Sequence, residues 1–240
     1  MKILITICAR RGTNGIPGKN IKQLKGKPLL AYTIDVARKF QNRFESVDIE
    51  LSTDSQEILK VASDFALKTE YCRPEYLAGD TTGKIDAIKD IVLWKENKNN
   101  VKYDFVLDLD VTSPLRNLED LVAAFDILRA SSDAINLFSV SPASRSPYFN
   151  MVEQKASGFY NLVKQADNTI LTRQSAPKVY DLNASFYFYR RSFFEQNYKG
   201  AITDRSLVYV VPHSCFDLDH PVDFEIMSFL IENNRLDFEL

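Results

Sequence analysis

Residues 2–20 read KILITICARRGTNGIPGKN, and their order decides the fold. Lys2 to Ile7 is an apolar run of strand length that passes straight into a loop carrying Arg10, Arg11, Lys19 and three glycines. Glycines let the backbone approach a ligand closely and turn its amides inward, while Arg10 and Lys19 supply positive charge for a polyphosphate. The spacing of Gly12, Gly15 and Gly18 is not GxGxxG. Gly18-Lys19 is followed by Asn20, where a Walker loop needs Ser or Thr for its metal. A solvated glycine-rich turn is the simplest alternative. The coincidence of strand, glycines and cations points instead to a phosphate cradle.

Outward from this segment, strand-like and helix-like stretches alternate. A helix is expected from Pro28 through LLAYTIDVARKF, with Leu30, Ile34, Ala37 and Phe40 near helical spacing and proline suited to the first turn. Val47 to Ser52 reads as a strand and Gln56 to Leu67 as a helix. Asp86 to Glu96 reads as a helix, Tyr103 to Leu109 as a strand, Leu118 to Arg129 as a helix and Ala134 to Val140 as a buried strand. This rhythm predicts an α/β fold, a mostly parallel sheet with helices on both faces and ligands at the carboxyl ends of the strands. Between Ser141 and Lys178 it breaks into short apolar-polar alternation punctuated by Pro and Gly, which predicts a small antiparallel insertion at about 141–178. Ala184 to Tyr189 and Leu207 to Val211 return to strand composition, and Pro221 to Asn233 closes as a helix. The whole chain, 1–240, reads as one domain with no internal repeat.

Composition narrows the function classes. The 240 residues are 45% hydrophobic, enough for a real core. Thirty basic and 32 acidic residues leave a formal charge of -2, without the basic excess of a protein that coats nucleic acid. Any anion must therefore be captured locally. No run approaches the length of a membrane span, and the start does not resemble a signal peptide. Cys8, Cys72 and Cys215 are odd in number and widely spaced, as expected of reduced thiols in a cytoplasmic protein rather than a disulfide framework or zinc site.

Three further stretches carry chemistry. In DFVLDLDVTSPLR, residues 104–116, Asp108 and Asp110 stand two apart on a strand and face the same way, so both can approach a cation. Helix capping by Thr112 or Ser113, and a surface ion pair for Arg116, are the structural alternatives there. In FDLDHPVDF, residues 216–224, Asp217 and Asp219 form a second carboxylate pair, with oxygen-only ligands suited to magnesium. His220 and Asp219 are equally suited to capping the last helix. In TRQSAPKVYDLNA, residues 172–184, Arg173 can pair with a carboxylate through two parallel hydrogen bonds, and Gln174, Tyr180 and Asn183 can read hydroxyl or amide groups. His213 stands alone, Trp94 reads as helix core, and no Ser-His-Asp or Cys-His arrangement is evident.

In this order, ICARRGTNGIPGKNIK, LSTDSQEI, CRPEYLAGDTT, DVTSPLR, RQSAPKVYDLNAS and FDLDHPVDF resemble the CMP-N-acetylneuraminate synthetase family over nearly the whole chain. DLDVTSPLR, SRSPYFNMVE and TRQSAPKVYDLNAS are most similar to the bacterial branch that activates legionaminic acid. The resemblance implies a Rossmann-like nucleotidyltransferase fold, a dimerisation arm in the insertion and hence a homodimer. It also implies magnesium, and attack by the anomeric hydroxyl of a nonulosonic acid on the α-phosphate of CTP. By position, it implies that Arg10, Thr13, Lys19 and Asn20 hold the triphosphate, with Lys19 stabilising charge at phosphorus from an exposed loop. Arg73, Thr82 and Lys84 fall where the family holds the nucleoside, Asp217 and Asp219 match its metal pair, and Arg173, Gln174, Tyr180 and Asn183 match its sugar side. Catalysis of this kind rests on positioning and charge neutralisation.

Two departures stand out. Many relatives read Gly-Ser-Lys-Gly where this chain has Gly12-Thr13-Asn14-Gly15, so one cation is absent. Asp110 stands where sialic-acid enzymes often carry Gln, and is either a second metal ligand or a selector for a different sugar. A metal-dependent glycosyltransferase using Asp108 and Asp110 with a nucleotide sugar is the alternative reading, against which the Arg-Gly-Lys loop favours a free triphosphate. A non-catalytic relative is disfavoured by Lys19 together with both carboxylate pairs.

Overall fold

A computed structural model describes residues 1–12, 15–79, 82–166, 168 and 170–240. Thr13, Asn14, Asp80 and Thr81 therefore lie outside the described residues, and with them the expected role of Thr13 in holding phosphate. The chain runs β1 (Ile3–Cys8), β2 (Gln23–Leu24), β3 (Lys27–Pro28), α1 (Leu29–Arg43), β4 (Val47–Ser52), α2 (Gln56–Asp64) and α3 (Lys84–Asn99). It continues with β5 (Phe105–Leu109), α4 (Leu118–Ala130), β6 (Asn136–Pro142), β7 (Val152–Gln154), β8 (Tyr160–Leu162), β9 (Tyr180–Arg190), β10 (Ser206–Val210) and α5 (Pro221–Glu232).

Six strands form the central sheet in the order β10-β6-β9-β5-β1-β4. β1 lies parallel to β4 and β5, and β10 parallel to β6, while β9 runs antiparallel to both β5 and β6. The sheet is thus mostly parallel, as expected, with one antiparallel strand in its middle. Alternation along the strands sorts side chains to the two faces. Ile3, Ile5 and Ile7 pack with Leu107, Leu109, Phe186 and Phe188 under α1, α4 and α5; Leu4 and Val106 turn the other way, against Ile85, Ile88 and Val92 of α3. On the first face Phe125 stacks on Phe188 and meets Phe40 and Phe105 edge-on, a cluster whose truncation at Phe125 costs about 3–5 kcal/mol.

Several boundaries differ from expectation for local reasons. The second helix stops at Asp64 instead of Leu67: Ala66 takes a left-handed φ of 56°, and Leu67 N–H reaches back to Ala62 O at 2.8 Å, a Schellman-type closure that folds Leu67 into the core. α3 begins two residues early, at Lys84. β9 begins at Tyr180, ahead of the expected Ala184, because its exposed polar start hides it from a pattern search. A register shift opposite Phe138 and Val140 accompanies Ala184 at φ 56°, a bulge in mid-sheet. Trp94 is half-buried, edge-on to Tyr71, and is not core. The segment between β6 and β9 holds the antiparallel β7–β8 hairpin.

Candidate active site

The loop after β1 closes on itself. Asn20 Nδ2 donates to Arg10 O at 3.0 Å, and Ala9 N–H to Ser52 O at 2.9 Å, which ties the loop to the end of β4. Lys19 and Asn20 form a short turn and are buried, Lys19 at 8% exposure, so the expectation of an exposed loop lysine is corrected. The Lys19 ammonium donates to Leu218 O at 2.6 Å and lies 3.8 Å from Asp219 Oδ1. Gly15 has φ +88°, and a Cβ there would stand 2.3 Å from Asp219 O. Only glycine meets both demands. The cationic loop and the acidic loop are therefore locked together across 199 residues of sequence.

The acidic loop is also held from beneath. Leu218 N–H donates to Thr112 O at 3.0 Å, and Ser113 Oγ to Phe216 O at 3.2 Å. Asp219 and His220 both give their backbone N–H to Asp223 Oδ2, so Asp223 serves the start of α5 and the Asp219 carboxylate is not spent on capping. Burial, then repulsion from Asp110 and Asp219, raises the Asp217 pKa above the ordinary carboxylate range. A dication beside it would relieve that cost. Among the described residues no group of three or more His, Cys, Asp and Glu side chains is placed to cage a metal. Asp219 lines the cleft beside Lys19 and Asn20, with Asp217 two residues before it, and such a pair fits magnesium nonetheless, since that ion commonly takes one or two protein oxygens and draws the rest from substrate phosphates and water.

At the end of β5, Asp108 is fully buried and accepts a hydrogen bond from Thr6 Oγ1 at 2.8 Å. Lys84, the first residue of α3, places its ammonium 2.9 Å from Asp108 Oδ2 and 2.8 Å from Asp110 Oδ2. Asp110 Oδ1 accepts from Thr112 N–H at 3.0 Å and Thr112 Oγ1 at 2.9 Å. Burial works against the charge on Asp110, but the Lys84 charge and the hydrogen bonds outweigh it and draw the pKa down to about 2. Burial likewise opposes the charge on Lys84, and the two carboxylates override it, holding the ammonium well above its usual pKa. Cys8, nearby, is pushed up to about 12 by burial and by Asp108, so it stays a neutral thiol.

Arg116 overturns the surface ion-pair and capping alternatives. It is 2% exposed and donates to Ser113 O, Ser185 O, Ser185 Oγ, Thr33 Oγ1 and Asp110 O at 2.6–3.1 Å. It stitches the loop after β5 to the bulged part of β9, and burial lowers its pKa to about 10. The N-cap of α4 is Asn117. His213 is not alone either: Nε2 lies 2.8 Å from Asp120 Oδ2, and the ring stacks on Phe238.

Two adjoining cavities result. One, of about 180 Å³, is lined by Cys8, Arg10, Arg73, Thr82, Lys84 and Asp110, among others. The other, of about 270 Å³, shares Cys8, Arg10 and Asp110 with it and adds Lys19, Asn20, Thr112 and Asp219. Among the described residues the fold thus gathers Arg10, Lys19 and Asn20 of the expected phosphate loop, the expected Arg73, Thr82 and Lys84, and one carboxylate of the acidic pair, Asp219. Arg73 is buried and tied by its guanidinium to Ser52, and Thr82 Oγ1 donates to Tyr76 O. Arg173, Gln174 and Tyr180 lie apart from these, lining an open cavity of about 760 Å³ with Arg145 and Lys178. Arg173 Nη2 donates to Ala143 O at 2.8 Å. Asn183 is buried, its amide engaged by Ser139 and Ser141. Cys8 and Thr112 line the cleft without having been singled out as ligands. Their one signal in the sequence is position, Cys8 at the last residue of β1 and Thr112 three residues beyond the end of β5.

A mostly parallel sheet whose first strand feeds a glycine-rich cationic loop, opposed by carboxylates at neighbouring strand ends, defines an α/β nucleotidyltransferase. The chain belongs to the cytidylyltransferase family, whose model matches residues 4–226. It is 36% identical over 98% of its length to "Post-translational flagellin modification protein B" of Campylobacter coli, covering 97% of that protein. The CMP-N,N'-diacetyllegionaminic acid synthase of Campylobacter jejuni is also 36% identical, with the same shares of both chains covered. Among solved structures, a CMP:2-keto-3-deoxy-manno-octonic acid synthetase complexed with CTP superposes with a TM-score of 0.69 at 15% identity, covering 98% of this chain and 100% of that one. That likeness establishes the fold.

Proposed function

We propose that this cytidylyltransferase joins CTP to a nine-carbon, sialic-acid-type sugar, legionaminic or N-acetylneuraminic acid, giving the CMP-sugar and pyrophosphate. The carrying observation is the meeting of Arg10, Lys19 and Asn20 with Asp219 at one cleft, in a chain 36% identical to a CMP-N,N'-diacetyllegionaminic acid synthase. The anomeric hydroxyl attacks the α-phosphorus, the new phosphorus-oxygen bond forms as the bond to pyrophosphate breaks, and the hydroxyl proton passes to solvent. No covalent enzyme intermediate is involved. Lys19 and Arg10 neutralise charge on the transferring group and the departing pyrophosphate, with Asn20 holding the loop in shape.

Asp217 and Asp219 would hold magnesium, which when bound supplies charge neutralisation on the triphosphate. Arg173, Gln174 and Tyr180 would face the sugar, and the β7–β8 hairpin would pair two chains into a homodimer. Cytoplasmic residence agrees with CTP as substrate and with three cysteines that form no disulfide. No described helix is long and apolar enough to cross a membrane. A glycosyltransferase would need Asp108 and Asp110 open to a cation, and Lys84 lies between them. The test is pyrophosphate release by the purified protein with CTP and a panel of legionaminic, N-acetylneuraminic, pseudaminic and keto-deoxyoctonic acids. Turnover is expected with one of the first two. Release with no acid of the panel, or equal rates with UTP in place of CTP, would overturn the reading.

A further inference from the structure

Two carboxylates two residues apart at a strand end, facing a nucleotide cleft, ordinarily invite a divalent cation. Here the place is taken. The Lys84 ammonium lies at hydrogen-bonding distance from both, 2.9 Å from Asp108 and 2.8 Å from Asp110, and so occupies the position between them that a cation would take. Asp108 Oδ2 is buried and accepts no well-aligned hydrogen bond, so the ammonium answers it as a charge. The other Asp108 oxygen is taken by Thr6, and Asp110 Oδ1 by Thr112.

Lys84 also has nowhere better to go. Its backbone is fixed as the first residue of α3, and its ammonium lies 4.8 Å from the centre of the Tyr187 ring. The cleft it borders carries Arg10 and Arg73, whose like charges oppose its release. A cation at a helix N-terminus runs against the helix dipole, and the two carboxylates are what offset it.

We infer that Lys84 is a resident counter-ion that closes the Asp108–Asp110 pair to divalent metal, so that the protein's own metal ligands are confined to the acidic loop of Asp217 and Asp219. Asp110, in place of a neutral residue at this position, is then the partner that holds Lys84 and not a second metal ligand. The inference rests on the proposed function only for the role of the acidic loop.

The test counts bound Mn²⁺ by electron paramagnetic resonance with neither CTP nor sugar present, so its outcome is separate from any turnover assay. Asp110→Asn is expected to leave the number of Mn²⁺ ions bound by the otherwise unchanged protein as it was. Lys84→Met, which keeps the length of the side chain and removes its charge, is expected to gain one Mn²⁺, and Asp110→Asn added to it to lose that ion again. If Lys84→Met does not fold, Lys84→Gln serves the same arm. Loss of an Mn²⁺ on Asp110→Asn in the presence of Lys84 would overturn the inference. So would the absence of any added ion in a folded Lys84 variant.

Discussion

The cleft lined by Arg10, Lys19, Lys84 and Asp110 and the 143–179 insertion are built on opposite principles. In the cleft, Lys19, Arg73 and Asp108 are buried, and each is held by a group from another element: Leu218 O, Ser52 and Thr6. In the insertion, β7 and β8 are three residues each, and Phe159, Tyr160 and Leu171 stand 79%, 66% and 80% exposed. The Arg173 guanidinium donates there to the carbonyl of Ala143, from the same insertion. A two-stranded ribbon of that size is marginal on its own, and clustered exposed apolar groups mark contact surfaces. The cleft is tied together by groups of one chain, and the exposed apolar groups of the insertion are the reason it is proposed to pair with a second.

The strongest test of the cleft is Lys19→Ala. With Lys19 in its proposed role, neutralising charge that develops on the phosphoryl group, turnover is expected to fall by about 10³-fold or more. Because that ammonium is buried and serves Leu218 O, stability also drops, by about 1–3 kcal/mol for the carbonyl left without its donor. Steady-state kinetics and denaturant unfolding read the two effects. A variant of near-normal rate removes Lys19 from the chemistry.

Arg116→Ala should cost about 3 kcal/mol or more in unfolding free energy, because several buried carbonyl and hydroxyl groups lose a shared donor. A loss within experimental error would show that the loop after β5 holds itself.

Asp217→Asn should act in the opposite direction. The half-buried carboxylate has a raised pKa, so its ionisation opposes folding above that pKa, and the opposition fades as the pH falls through it toward the unfolded value. The variant should therefore melt higher at neutral pH, with the gap closing on acidification, while its magnesium response weakens. An unchanged magnesium titration would take Asp217 out of the metal site. The smallest stability change belongs to the insertion: Phe159→Ser together with Tyr160→Ser should move unfolding by no more than about 0.5 kcal/mol per site. The same pair should shift a dimer toward monomer in size-exclusion chromatography. An unchanged elution volume would leave the hairpin a plain surface feature.

What the sequence made legible follows from the range over which its signals act. β1, β4 and α1 stand where their apolar periodicity places them, and the glycine-cation loop lies at the carboxyl end of β1 as its position implied. The start of β9 was hidden because Asp181, Asn183 and Ser185 interrupt its apolar pattern. Other features depend on partners far along the chain. Arg116 is buried by Ser185, 69 residues on, and His213 pairs with Asp120, 93 residues back. Lys84 meets Asp110 across 26 residues. No local pattern encodes such meetings; only the sheet order brings them about.

The contrast between the two regions is tested most directly by mixing chains carrying Lys19→Ala with chains carrying Arg173→Ala, each expected to be inactive alone, after verified subunit exchange. If Arg173 completes the partner's sugar pocket, a mixed dimer carries both lesions in one site and leaves the other intact. With random exchange half the dimers are mixed, so about a quarter of wild-type activity should return. A mixture as inactive as either parent would place the whole site within one chain and contradict the division drawn between cleft and insertion.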